Sequence, residues 1–460
     1  MLVGSVAFVS VCGFDLTTTA QGQSIPFEAR HHQGFLDNLN LDLWAQQGGF
    51  MSTAIRGLRT FVILGCSLLT VAFAAPATAQ QPVQVQCGAG GTIASALARP
   101  AGALVIVVNG TCNENVTIAR DDVTLKGAPG ATISGPDSTK NTITVTGARI
   151  TIESLSVTGG SNGIVGRGAS LLSVLDCDVQ NTAGSGIVFF QSAGGVVDGS
   201  TVQANPSEGI LIESGSATLT NNTIQNNSQW GVVTANGASA RIGISNSGQY
   251  DGNTIENNGF GGIHIILGAA AVVGGNTISG NGTNQQNIFR VGIRVFDAVA
   301  DIAGGNTITN NASSGVLIHA SRVRIGDRLF GSSVNTISQN GSQVTQAFPF
   351  ANGGVFAYVD AAIDIMDAII TGNTGSGVAL IFRSNATITA GQITRNTAGG
   401  VDLETGSAVI FELFQSSPAS VTGNSVADLR WAGSDVRYTG FGSNALAGIG
   451  TISNCPPANF

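Results

Sequence analysis

Gly209-Ile210-Leu211-Ile212-Glu213 is answered by Gly231-Val232-Val233-Thr234-Ala235 and again by Gly292-Ile293-Arg294-Val295-Phe296. The phrase opens at Gly163, Gly186, Gly209, Gly231, Gly262, Gly292, Gly315, Gly354, Gly377 and Gly400, with steps of 23, 23, 22, 31, 30, 23, 39, 23 and 23 residues. Two further marks keep pace with it. An aliphatic residue stands seven before most of these glycines, as in Val202, Ile224, Ile255 and Ile308, and three after that aliphatic comes Asn205, Asn227, Asn258 or Asn311. Asn281, Asn340, Asn373 and Asn396 continue the series, with Thr182 the exception. A fixed period of this length is the mark of a repeat architecture, and the rest of the chain is read through it.

After each glycine the residues alternate in short runs rich in β-branched side chains, which is strand periodicity. Between the runs sit Gly, Asn, Ser and Asp, residues that tolerate left-handed backbone angles, so each unit is about three short strands and three corners. Strands of successive turns stacked in parallel, about 4.8 Å apart, make one rung from each repeat. The expected fold is all-β: a right-handed parallel β-helix, a solenoid of about 11–14 coils by the repeat count. Asn at a fixed corner fits that stack, because its amide both donates and accepts toward the Asn one rung away while its backbone takes the bend. A second column, Asn222, Asn253, Asn276, Asn306 and Asn335, precedes Thr-Ile at another corner and points to the same device.

With these landmarks in place, the chain resembles the repeats of secreted right-handed β-helix proteins of the pectin-lyase-like superfamily, over about Gln86 to Leu429. The motifs are corner and core residues, so the resemblance specifies fold strongly and activity weakly.

The chain of 460 residues holds 64 glycines and only 10% charged residues, a composition of tight corners and stacked apolar strands. One elongated domain is expected over 80–430, with 431–460 closing or trailing the far end. A net charge of −8 argues against nucleic acid and anionic lipid as partners. Met51, Arg56, Arg59, the apolar run Phe61 to Ala75 and Ala77-Thr78-Ala79 have the three parts of a secretory signal peptide over 51–79. Residues 1–50 then read as an upstream extension of the gene without a fold of its own. The apolar run is too short to span a bilayer comfortably, so no membrane anchor is expected after cleavage, and the destination is secreted or periplasmic. In that oxidising compartment Cys87 and Cys112, 25 residues apart, are placed to join neighbouring rungs. Cys177 alternates inward with Val179 as a small core residue, and Cys455 has no evident partner. Thr92 to Ala98 reads as a short helix with Thr92 as N-cap, suited to cover the first coil and its free edge.

Function is sought on the glycine-led strands. Positions one and three after the glycine are aliphatic and point inward, so two and four face solvent. Rung stacking then sets His264 beside Arg294, and aligns Phe296, His319 and Tyr358 in one column. Long insertions flank these rungs and carry Phe289, Arg290, Phe348 and Phe350, while Phe356 lies on the face itself. In superfamily members that act on polysaccharides the groove lies on this kind of strand face, so the resemblance implies a glycan site here. Aromatic rings stack on sugar faces and Arg holds a uronate carboxylate in a fork. Removing a proton beside a uronate carboxylate needs a cation, for which Arg294 is the candidate, and a base, for which His264, His319 or Tyr358 would serve. Of the paired aspartates and the Gly-His-Gly of polygalacturonase-like sites the chain has only Asp121-Asp122, in the first coils, and Arg241-Ile242-Gly243 and Arg324-Ile325-Gly326 lack the lysine of the family's Arg-Ile-Lys. No cofactor and no metal ligand set is assigned. Asp297, Asp301, Asp360, Asp364 and Asp367 could hold calcium, although such aspartates more often solvate corners. Three readings follow: a polysaccharide or cell-surface glycan binder, a lyase or hydrolase of uncommon subtype, or an adhesive rod that self-associates through the apolar part of the face.

Overall fold

The computed structural model describes residues 81–100, 102–287, 289–326, 333–342, 352–412, 419–432, 437–441, 449–450 and 452–453, with the backbone of a two-strand pair at Thr19–Ala20 and Gln23–Ser24. The chain divides into two compact units, Met1–Ala79 and Gln80–Phe460. The signal segment, Phe348, Phe350 and Cys455 lie outside the described residues.

The second unit is the expected solenoid. Each rung passes from a glycine-led strand such as Ile210–Glu213, through a middle strand such as Ser216–Thr220, to a short strand such as Thr223–Gln225. Repetition stacks these into parallel sheets of 14, 15 and 13 strands. The register is the one the repeat demands. Ile210 pairs with Val232, Ile263 with Ile293, and Ile224 with Ile255, so every inward position meets its homologue one rung away. Ile263, Ile293, Val316 and Ile224 are fully buried in one continuous core. Strands at Arg437–Phe441 and Ile452–Ser453 still join the middle and glycine-led sheets, so coiling runs past the last sequence repeat.

The asparagines form two ladders. Asn227 donates from both its backbone N–H and its Nδ2 to Asn258 Oδ1, at 3.1 and 3.0 Å, and Asn258 does the same to Asn281. Each amide also donates to a core carbonyl, as Asn258 Nδ2 does to Ile224 O at 3.1 Å. The left-handed bend is taken by the preceding residue, Asn226, Asn257 or Asn310, rather than by the ladder Asn itself. Beyond the predicted columns, the first ladder continues from Asn396 to Asn424 and ends on Asp428, whose Oδ1 accepts both donors of Asn424. The second starts from Ser200, which accepts from Cys177 N. A carboxylate at the terminus suits a chain of donors that has run out of amides.

The N-terminal end closes as the sequence predicts. The helix Ile93–Leu97 has Thr92 as N-cap, its hydroxyl accepting from Ser95 N, and buries Ile93 and Ala96. Glu114 accepts from Ile93 N and Ala94 N, so the open amides of the first turn meet a carboxylate. Cys87 and Cys112 form the disulfide, and Cys177 is buried with its thiol pushed up to about 11 by burial.

Candidate functional site

On the glycine-led sheet, His264 pairs with Arg294 and Ile266 with Phe296; one rung on, Phe296 pairs with His319, and His319 then with Tyr358. The columns are those the sequence sets out, but their exposure is not. The second position is mostly covered: Leu317 is 2% exposed, Phe356 4% and His264 7%, while Arg294 and Leu211 are half-buried. Outside the solenoid wall, Trp230, Val291, Leu317 and Phe356 make a second small apolar cluster, with Phe260, Phe289 and Tyr358 packed against it. Much of the apolar face is therefore spent within the molecule, because corner residues fold back over it.

Arg294 is the centre of the site. Its guanidinium lies 3.9 Å from the centroid of the Phe289 ring and 4.8 Å from that of Phe296, with the Tyr358 phenol beside it. No carboxylate among the described residues lies in ion-pair range of it, and its Nε, buried, has no hydrogen-bond partner. His319 stacks on Phe296 at 4.3 Å and 6°, and meets Tyr358 edge-on at 4.6 Å. Trp230 stacks on His264 at 4.5 Å, and His264 Nε2 is buried without a partner. Phe289 covers Arg294, whereas Arg290 does not line the face: it is buried and its Nε donates to Gly282 O at 2.6 Å, anchoring its own loop.

Charge follows from burial. The His264 imidazole is pushed down to about 3, first by burial and then by the Arg294 charge. His319 is lowered by burial and by Arg294. Asp297 opposes this from 3.7 Å, too far for a hydrogen bond, and loses. Burial raises the Tyr358 phenol against the pull of Arg294, so it stays protonated. At neutral pH the site is one guanidinium among neutral imidazoles, a phenol and rings, with the Asp297 carboxylate 3.7 Å from His319 at its edge.

A testable consequence concerns acid. Unfolded, His264 takes a proton near 6.5; folded, it resists to about 3. The depressed imidazole contributes stability that is present above 6.5 and lost as pH falls below it, on the order of 2 kcal/mol between pH 7 and pH 5. Urea midpoints at the two pH values should show that loss, and His264→Gln should remove it; parallel pH dependence in both proteins would refute the assignment.

Of the aspartates considered for calcium, Asp301 is held by Arg324, whose Nε lies 2.9 Å from Oδ1, and Asp360 by Arg383 at 2.8 Å. No group of three or more metal-binding side chains occurs among the described residues. One feature of the molecule escaped the sequence reading: an open groove of about 950 Å³ on the outer face of the middle sheet, away from Arg294.

Residues 104–247 match the profile of a family described as a right handed beta helix region. No curated protein matches the chain. Among solved structures, the Azotobacter vinelandii mannuronan C-5 epimerase AlgE6 A-module aligns at 16% identity and a TM-score of 0.42, covering 75% of this chain and 93% of its own. Pectate lyase Pel9A aligns at 13% and 0.36, over 63% and 78%. Alginate lyase from Paenibacillus sp. str. FPU-7 aligns at 15% and 0.29, over 77% and 98%. At these identities the likeness concerns the fold. The repeat, the three parallel sheets and the matched region together make this chain a right-handed parallel β-helix protein.

Proposed function

We propose that the chain is an exported protein that binds an acidic polysaccharide on the glycine-led sheet, with Arg294 receiving a carboxylate. The observation that carries this reading is a half-buried guanidinium, ringed by Phe289, Phe296 and Tyr358, that no carboxylate of the described chain neutralises. A desolvated cation is costly unless something pairs with it, and a bidentate carboxylate fits its free edge. Phe296 and Phe289 offer rings for sugar faces, and the neutral His319 and Tyr358 offer hydrogen bonds to hydroxyls.

Affinity electrophoresis through gels containing alginate or polygalacturonate tests the reading. Retardation by the polyuronate, lost when its carboxyls are reduced to alcohols, is the expected result; equal mobility in both gels would overturn it. Catalysis is a second reading, favoured by one observation: His319 is a neutral imidazole with an unpartnered Nδ1 beside a cation, the pairing a β-elimination would use. Absorbance of unsaturated uronate products on incubation, with and without calcium, separates lyase from binder.

A further inference from the structure

The groove on the middle sheet is built by three departures from the repeat that coincide on the same rungs. First, the core column that is Leu172 at one end and Val323 at the other shrinks to Gly195, Ala217, Ala240, Ala271 and Ala300 in the five rungs between. Less side chain under the sheet lets its outer face dip, which is where the groove of about 950 Å³ lies. Second, the corner after the middle strand, two residues long at Gly199-Ser200 and Asn221-Asn222, lengthens to 243–253, 274–276 and 303–306 in three consecutive rungs. The longest of these folds back on itself through an Ile244↔Tyr250 bridge. It is tied to the groove lining by Arg241 Nη2 to Ser245 O, 2.8 Å, and Thr218 Oγ1 to Asn246 Oδ1, 3.2 Å. The Asn ladder passes beneath unbroken, from Asn222 to Asn253 to Asn276, so the wall is added without loss of the stack. Third, small side chains such as exposed Ser239 and Ala270 lie over part of the floor, while Asp301, Arg322, Arg324 and Asp364 gather at one end and Arg241 stands nearer the other. There Arg324 grips Asp301, and Arg322 and Asp364 make no ion pair among the described residues.

We infer that this groove is a second binding site, for a neutral, extended polysaccharide lying along successive rungs. Its length suits a polymer, since the lining comes from eight consecutive rungs about 4.8 Å apart. A peptide strand would gain little, because the backbone groups of an interior sheet face are already spent in the ladders and strand addition needs an edge. A sugar chain brings hydroxyls that Ser239, Asn385, Arg322 and Asp364 can meet as donors and acceptors. Arg241, Arg322 and Arg324 are nearly balanced along the lining by Asp301 and Asp364, so the groove presents mixed charge where the Arg294 face presents an unpaired cation, and the two sites can fail or stand separately.

The test uses the full chain in gels containing hydroxyethyl cellulose, galactomannan or arabinoxylan, beside alginate. At least one neutral glycan is expected to retard it. Ala270→Trp, which fills the groove, and the surface variants Arg322→Ala and Asp364→Asn should each weaken that retardation tenfold or more at unchanged thermal midpoint, while Arg322→Ala leaves alginate retention as it was. Absence of retardation by every neutral glycan, retention that survives all three variants, or capture of an extended peptide in place of glycans would each overturn the assignment.

Discussion

Asn258→Ala is expected to cost about 3–5 kcal/mol of folding free energy, far beyond the loss of one side chain's contacts. The reason is the number of partners stranded. Asn258 Oδ1 receives the backbone and side-chain N–H of Asn227, while its Nδ2 serves Ile224 O and Asn281 Oδ1 at 3.1 and 3.0 Å. All of these lie in the interior, where water cannot replace the lost partner. Asn258→Asp should also destabilise: a carboxylate still accepts from Asn227 but turns its second oxygen toward two acceptors. Exposed Asn385 is the control, and Asn385→Ala should stay within about 0.5 kcal/mol. Guanidinium midpoints decide it; a ladder variant as stable as the control would mean that the amides are not mutually dependent.

Arg294→Ala is expected to lower affinity for a polyuronate about a hundredfold, as truncating a desolvated charge contact does, with the loss in the dissociation rate. Folding should respond the other way. The guanidinium is paired with no carboxylate among the described residues, so its removal relieves a burial cost and the thermal midpoint should hold or rise. A site that lowers stability to gain function has that signature, and a structural arginine has the reverse. Arg294→Lys keeps the charge but not the fork, so affinity should fall between the two.

The sequence carried the fold and the columns because both are properties of the repeat. A constant step with inward aliphatics settles register, and register alone puts His264 by Arg294 and His319 by Tyr358. Exposure was not legible, since it depends on where corner residues fold: nothing periodic says that Trp230 stacks on His264 or that Phe289 lies on Arg294. Arg290 illustrates the same limit, a loop arginine facing its own loop carbonyl and not the site. The middle-sheet groove left a readable signal that went unused, a column passing from Leu172 through glycine and four alanines to Val323. Asp428 at the end of the ladder gave no such signal, because it stands four residues after Asn424 on the strand Ala427–Ala432 and not at a ladder corner.

The most direct measurement is a calorimetric titration of the full chain with a uronate oligosaccharide at pH 7, native against Arg294→Ala. The binding proposal predicts saturable heat in the native protein and an affinity about a hundredfold lower in the variant at equal or higher thermal midpoint. Equal affinity in the two proteins, or a variant that loses binding only because it no longer folds, would contradict it.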